Sequence, residues 1–174
     1  MTTDTNVAII GARGALNPPE QWDFVQRHGI RVFRMREVTE RGIEAVVREA
    51  LDIVTDGTDA FYCSLDSDVV DASAMPGTDA PEPGGLLSTE MLRACELIGA
   101  RRPAVLDIVE LIPAYDHPAM ISLRLAGYMI LHVLGGWAKG SQVTTRQVTR
   151  QASHHSLSAF TALDHRTRAA SADD

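Results

Sequence analysis

Cysteine is scarce in this chain of 174 residues: Cys63 and Cys95 are its two, with no C-x-x-C spacing, which excludes a disulfide framework and a zinc site. Both read as reduced core thiols of a cytoplasmic protein. Clustered Lys and Arg are also lacking and the formal net charge is −7, so a nucleic-acid surface that works by releasing counterions is excluded. The acidic balance suits solubility and cationic ligands. Residues 1–6 lack the basic start and apolar core of a secretory signal. The most apolar stretch, 119–134, carries Arg124 and His132 and falls short of the roughly 20 residues that span a bilayer. It reads as a buried helix, and no membrane partner is expected.

What is present is an alternation of short apolar runs with amphipathic ones. Residues 7–11 read as a first strand ended by Gly11-Ala12-Arg13-Gly14, a plain turn because the full G-x-G-x-x-G of a phosphate cradle is absent. Pro18-Pro19-Glu20 opens a helix through Trp22, Phe24 and Val25 that closes at His28-Gly29. A second strand follows over 30–35. Thr39 is placed to cap a helix whose apolar residues Ile43, Val46, Val47, Ala50, Leu51 and Val54 recur at steps of three and four. After the turn at 56–59, the run 60–65 reads as a buried central strand. Ser88-Thr89-Glu90 starts another helix with Leu92, Cys95 and Ile98 inward and Gly99 at its end, and 103–111 is a fourth strand. Strands alternating with helices at these lengths predict an α/β domain with a parallel sheet. It should occupy 1–138, followed by a flexible polar tail over 139–174 in which His154 and His155 are solvated.

The sharpest chemical signal is Ser64-Leu65-Asp66-Ser67-Asp68-Val69-Val70-Asp71. Side chains alternate along a strand, so Asp66 and Asp68 point to one side where it runs out, with Asp71 just beyond. Three carboxylates then crowd the carboxyl edge of the sheet, where open α/β sheets bind ligands. Such crowding is costly unless a cation or proton neutralises it, and hard oxygen donors suit magnesium, manganese or calcium. The bland alternative is that these side chains cap turn amides. An EF-hand is excluded, because Asp71 stands where that loop needs Gly and Gly77 where it needs Glu. Glu110, Tyr115, Asp116 and His117 also fall on the carboxyl side of their strand, whereas Asp107, three residues before Glu110, should face the other way and be structural.

With the following Pro76-Gly77-Thr78-Asp79-Ala80-Pro81-Glu82-Pro83-Gly84-Gly85-Leu86, the string resembles the signature of the ureohydrolase (arginase, agmatinase) family, S-x-D-x-D-x-x-D-P followed by P-G-T-x-x-P-x-x-G-G-L. Ala72 stands where the family has Pro, and Asp79 where it often has Gly. The segment D-I-V-E-L-x-P-x-Y-D-H at 107–117 is similar to agmatinase-like members as well. The resemblance implies a three-layer α/β/α fold and hydrolysis of a guanidino C–N bond with release of urea, dependent on a binuclear manganese centre. It implies Asp66 and Asp68 as metal ligands and Glu110 as the contact to a guanidino substrate. By its place and chemistry His117 is a candidate general acid or base, against the plainer reading of a structural loop histidine, and Asp71 and Thr78 are candidate supports for the ligands. The family's other metal motifs, G-G-D-H and D-A-H-x-D, do not occur here, so the match is to the carboxyl-terminal half of the family domain and the metal site is incomplete. The preferred expectation is therefore a complementary half supplied by a separate chain or lost when a reading frame was split, in a homo- or hetero-oligomer. A degenerate binding module and a small hydrolase with one metal at Asp66, Asp68 and Asp71 stay open beside it.

Overall fold

The computed structural model describes residues 4–14 and 17–140. Four strands and five helices alternate among them: β1 Ala8–Ala12, α1 Pro19–Arg27, β2 Arg31–Arg34, α2 Met35–Arg41, α3 Ile43–Thr55, β3 Tyr62–Asp66, α4 Ser88–Arg101, β4 Val105–Val109 and α5 Ile121–Gly140.

The strands pair in parallel, as expected, but as two separate ribbons, β1 with β2 and β3 with β4. Both ribbons run the same way. At their carboxyl ends Arg13 reaches the Asp68 carbonyl at 2.6 Å, and at their amino ends the Asn6 amide donates to the Ile53 and Asp56 carbonyls at 3.1 and 2.9 Å. β1 and β3 flank a cavity of about 830 Å³ floored by α3 residues Val47, Leu51 and Val54. The order across the molecule is thus β2, β1, cavity, β3, β4. Right-handed crossovers then put α1 on one face and α2 to α4 on the other, since the step from β1 to β2 runs opposite to the later two. The extensive packing of α3 on α4 agrees.

The core lies between the strands and that helical layer, around Phe33, Val46, Val47, Leu65, Met91 and Cys95. The opposite face is open among the described residues. Ile9, Tyr62 and Val105 are exposed there, and α1 buries no residue, leaving Trp22 and Phe24 at the surface.

Several local expectations are corrected. Thr39 does not cap α3: it sits inside α2, donating its hydroxyl to the Met35 carbonyl at 3.0 Å, and Gly42 at φ 81° separates the two helices. Gly99 does not end α4. It lies within the helix against α5, where an added Cβ would stand 2.0 Å from the Val133 carbonyl oxygen, and Gly136 faces the Glu96 carbonyl oxygen likewise at 2.1 Å.

The apolar helix is longer than 119–134. α5 has 20 residues and mean hydropathy 1.2, long and apolar enough by length and composition to cross a membrane, with a third of it buried. It is therefore not a fully buried helix. Leu125, Met129 and Val133 face the core, while Tyr128, Leu131 and Leu134 are exposed. α5 runs past the expected boundary at 138, and Lys139 on it pairs with Glu96. The rest of the expected tail, with His154 and His155, lies outside the described residues.

Candidate functional site

Strand β3 ends at Asp66, and the chain turns at once through a 3-10 turn, Ser67–Val69. Asp66 causes that turn to close: its Oδ1 accepts the Asp68 N–H at 3.0 Å, a short acidic side chain capping a local amide. Below it lies a polar knot with a buried centre. Ser67 and Thr78 share a hydroxyl hydrogen bond at 2.8 Å, at 0% and 1% exposure. The Thr78 hydroxyl also meets Asp68 Oδ1 and the Glu110 carbonyl oxygen at 3.0 Å. It has one hydrogen to give and two acceptors competing for it, so Ser67 must donate to Thr78. This knot ties the end of β3, the Pro/Gly loop and the end of β4 together.

Asp68 is consequently an uncomfortable carboxylate. Burial pushes its pKa up, the charge of Asp66 pushes it further, and the Ala80 N–H only partly opposes them. Neutralisation by a cation would relieve the same strain.

Asp71 does not join the pair, contrary to the expected crowding of three carboxylates. Its Oδ1 accepts the Ser73 N–H at 3.0 Å and hydroxyl at 2.5 Å, and its Oδ2 accepts the Gly84 and Gly85 N–H groups at 2.7 and 3.3 Å. The Ser73 hydroxyl first, then these amides, pull its pKa down to about 2. Asp71 therefore pins the loop, and a three-aspartate metal site is not formed. A depressed value means that ionisation favours the ordered loop. Its contribution is complete above the ordinary value near 3.9 and lost as pH falls through about 2. Asp71→Ala should make Gly84 and Gly85 amides exchange at least about tenfold faster at pH 6, with little change near pH 2. Equal exchange at pH 6 would remove Asp71 from this role.

Glu110 stands just beyond β4 with φ 59°. The strand has ended at Val109, so the alternation used to set Glu110 against Asp107 does not extend to it. Asp107 accepts the Tyr62 hydroxyl at 2.7 Å across the strands. Glu110 and His117 are both exposed. His117 Nδ1 accepts the Ala119 N–H at 3.0 Å in the turn that leads into α5.

Two groups at this edge were not legible as functional. Arg13, read as part of a plain turn, sends its guanidinium to the carbonyls of Asp68, Val70 and Glu82 at 2.6, 3.3 and 2.9 Å. No local signal marks it, because its partners lie 55 to 69 residues away. Asp116 caps α5: it accepts the His117 and Ser122 N–H groups at 2.8 and 3.1 Å and the Ser122 hydroxyl at 2.8 Å on one oxygen, and the Leu123 N–H at 3.1 Å on the other. Burial raises its pKa, but these donors outweigh burial and hold it below the usual range. Ser122 in turn accepts the Gly77 N–H at 2.8 Å, fastening α5 to the Pro/Gly loop. An Asp before an apolar helix is a cap signal that the neighbouring His117 obscured.

Among the described residues no three His, Cys, Asp or Glu side chains gather as a metal cluster. The Asp66 and Asp68 carboxylates have the oxygen-donor chemistry that a hard cation takes.

The Arginase family model matches residues 1–135. Proclavaminate amidinohydrolase of Streptomyces clavuligerus is 38% identical over 117 residues, covering 66% of this chain and 36% of that protein. Formimidoylglutamase of Bacillus subtilis is 36% identical over 129 residues, covering 73% and 40%. The crystal structure of that formimidoylglutamase superposes with a TM-score of 0.73 at 31% identity, over 78% of this chain and 42% of the other. The chain thus spans less than half the length of these relatives.

Proposed function

The chain belongs to the arginase family, and on that premise we propose that its acidic edge is one part of a manganese-dependent hydrolase centre acting on a guanidino or formimidoyl C–N bond. The observation that carries this reading is the Asp66–Asp68 pair at the end of β3, one member of it raised in pKa and tied to Thr78. Manganese, when bound, supplies Lewis acidity. The chain's own groups do the rest of this part. Thr78 and Ala80 orient Asp68, while Arg13 and Asp71 hold the loop that carries Thr78. Glu110 offers a carboxylate to a planar cation, which it can bind in a forked pair of hydrogen bonds. His117, whose Nδ1 accepts a backbone N–H, carries its hydrogen on Nε2 when neutral and offers it as a hydrogen bond to the substrate's leaving nitrogen.

Two ligands do not make such a centre, so the remaining ones belong to a complementary part of the family domain. The chain and the segment of Bacillus subtilis formimidoylglutamase that precedes its match should bind manganese together. Calorimetry and assays of urea and formamide release are the measurements. Release from guanidino or formimidoyl substrates only in the mixture supports the proposal. A complex that binds no manganese and releases neither product would overturn it. That outcome would favour a partner-binding module without catalysis, a reading to which the lack of a three-ligand cluster among the described residues lends weight.

A further inference from the structure

We propose that the exposed face of α5 is a two-fold contact between two copies of this chain, in which the two helices lie antiparallel with Leu131 on the symmetry axis. The inference stands without the hydrolase reading.

α5 is apolar on two sides. Met129 and Val133 pack into the core, and the opposite face carries Tyr128, Leu131 and Leu134 at 57, 60 and 52% exposure. A contiguous apolar surface of this kind marks an interaction site. At roughly 100° per residue, Tyr128 and Leu134 stand about 60° to opposite sides of Leu131, three residues before it and three after. Gly127 and Gly135 repeat the arrangement four residues away on each side, with nothing within 4 Å of where a Cβ would stand. The stripe therefore presents the same outline from either end. Antiparallel packing about a two-fold axis through Leu131 sets Tyr128 against Leu134 of the second copy and Gly127 against its Gly135. That is the self-complementarity an isologous contact requires.

Charge agrees with the symmetry. Arg124, on the same stripe, comes to lie beside Ala138 of the second copy, in the last turn of its α5. There the carbonyl groups lack helical partners and form the negative end of the helix dipole. Arg124 Nε donates to the Ala119 carbonyl at 3.2 Å, which leaves the Nη donors for that turn. The area fits a weak dimer. α5 has 20 residues and is about 30 Å long. One crossing of two such helices at a shallow angle stands at the low end of specific interfaces, about 1,200 Å² in all, which corresponds to a Kd on the order of 10 μM.

Other occupants fit the stripe less well. The most apolar run beyond α5 is 157–163, Leu-Ser-Ala-Phe-Thr-Ala-Leu. Its linker to Gly140 is long enough to bring it back onto α5, but such a segment gives no reason for a surface symmetric about one leucine. A bilayer is a poor match for a stripe that contains Arg124 on a helix whose other side belongs to a protein core.

Sedimentation equilibrium of the full chain from about 1 to about 200 μM, with no metal or substrate present, tests this. A reversible dimer is expected. Leu131→Glu, which sets two like charges on the axis, should raise its Kd at least about 100-fold, and Arg124→Glu at least about fivefold. Leu131→Cys keeps the test open should the glutamate variant fold poorly. On oxidation it should yield a disulfide-linked dimer, since a residue on the axis meets its own copy, whereas Ile130→Cys, 48% exposed on the flank of the helix, should not. A chain that stays monomeric at about 200 μM overturns the proposal. So does a dimer that keeps its Kd in Leu131→Glu, or one that links Ile130→Cys as readily as Leu131→Cys. A chain that dimerises only once 141–174 are removed overturns it and makes the tail the occupant. Flotation with phosphatidylcholine vesicles in place of dimerisation overturns it in favour of a membrane surface. Turnover plays no part in these outcomes, so they are separable from failure of the hydrolase reading.

Discussion

Asp68→Asn should stabilise the chain on its own while removing it from metal chemistry. The ionised carboxylate is held where burial and the neighbouring Asp66 charge both disfavour it, so its folded pKa lies above the unfolded one. Such a group subtracts from stability when pH stands above its folded value, and ceases to do so on acidification through the unfolded value near 3.9. Asparagine keeps an oxygen to accept from Thr78 and Ala80 and carries no charge. The melting temperature at pH 7 should therefore rise above wild type, and the difference should vanish below about pH 4. In the complex with a complementary half, the same change should weaken manganese by more than the 10- to 100-fold typical of groups that merely orient a ligand. A melting temperature that falls at pH 7, with manganese affinity unchanged, would return Asp68 to the role of a turn cap.

Gly136→Val should lower stability by about 3 kcal/mol and the melting temperature by about 10 °C, the upper range for forcing atoms into a packed contact in a domain of this size. The added Cβ would lie 2.1 Å from the Glu96 carbonyl oxygen on α4, and backbone does not yield as a side-chain tip does. α5 must tilt off α4 along its contact line. The control sits on the same helix, where a Cβ at Gly127 or Gly135 meets nothing within 4 Å. There Gly→Ala should add up to about 1 kcal/mol through helix propensity alone. Thermal melts of the variants decide it, and similar losses at Gly127 and Gly136 would show that close helix approach is not the cause.

The contrast between those glycines explains how much was legible in advance. Periodicity placed α3 and α4 well, because Ile43, Val46, Val47, Ala50 and Leu51 all face the core and each records its helix locally. The glycines of α5 carry no such record: Gly136 and Gly127 differ only in what lies opposite. The same holds for the sheet. Four parallel strands could be read from short apolar runs, but their division into two ribbons depends on which edges meet, which is a long-range property. At the acidic edge strand alternation was used to set Asp66 and Asp68 on one side, but β3 ends at Asp66 and Asp68 sits in the 3-10 turn that follows, where Thr78 meets it. Asp71 stands apart from the expected crowding because its two oxygens are taken by Ser73 on one side and by the amides of Gly84 and Gly85, across the loop, on the other.

The guanidinium of Arg13 couples two parts of the molecule that the covalent chain keeps far apart. It holds carbonyls on both limbs of the loop from its place just after β1. Each of those bonds closes a circuit of more than fifty residues, and the entropic cost of such closure is met only when the first ribbon is already in place. Order at the carboxylate pair is therefore not a local property of the D-x-D turn. It belongs to the same cooperative unit as β1, and a loosening of that strand, however remote in sequence, is felt as disorder at the acidic edge.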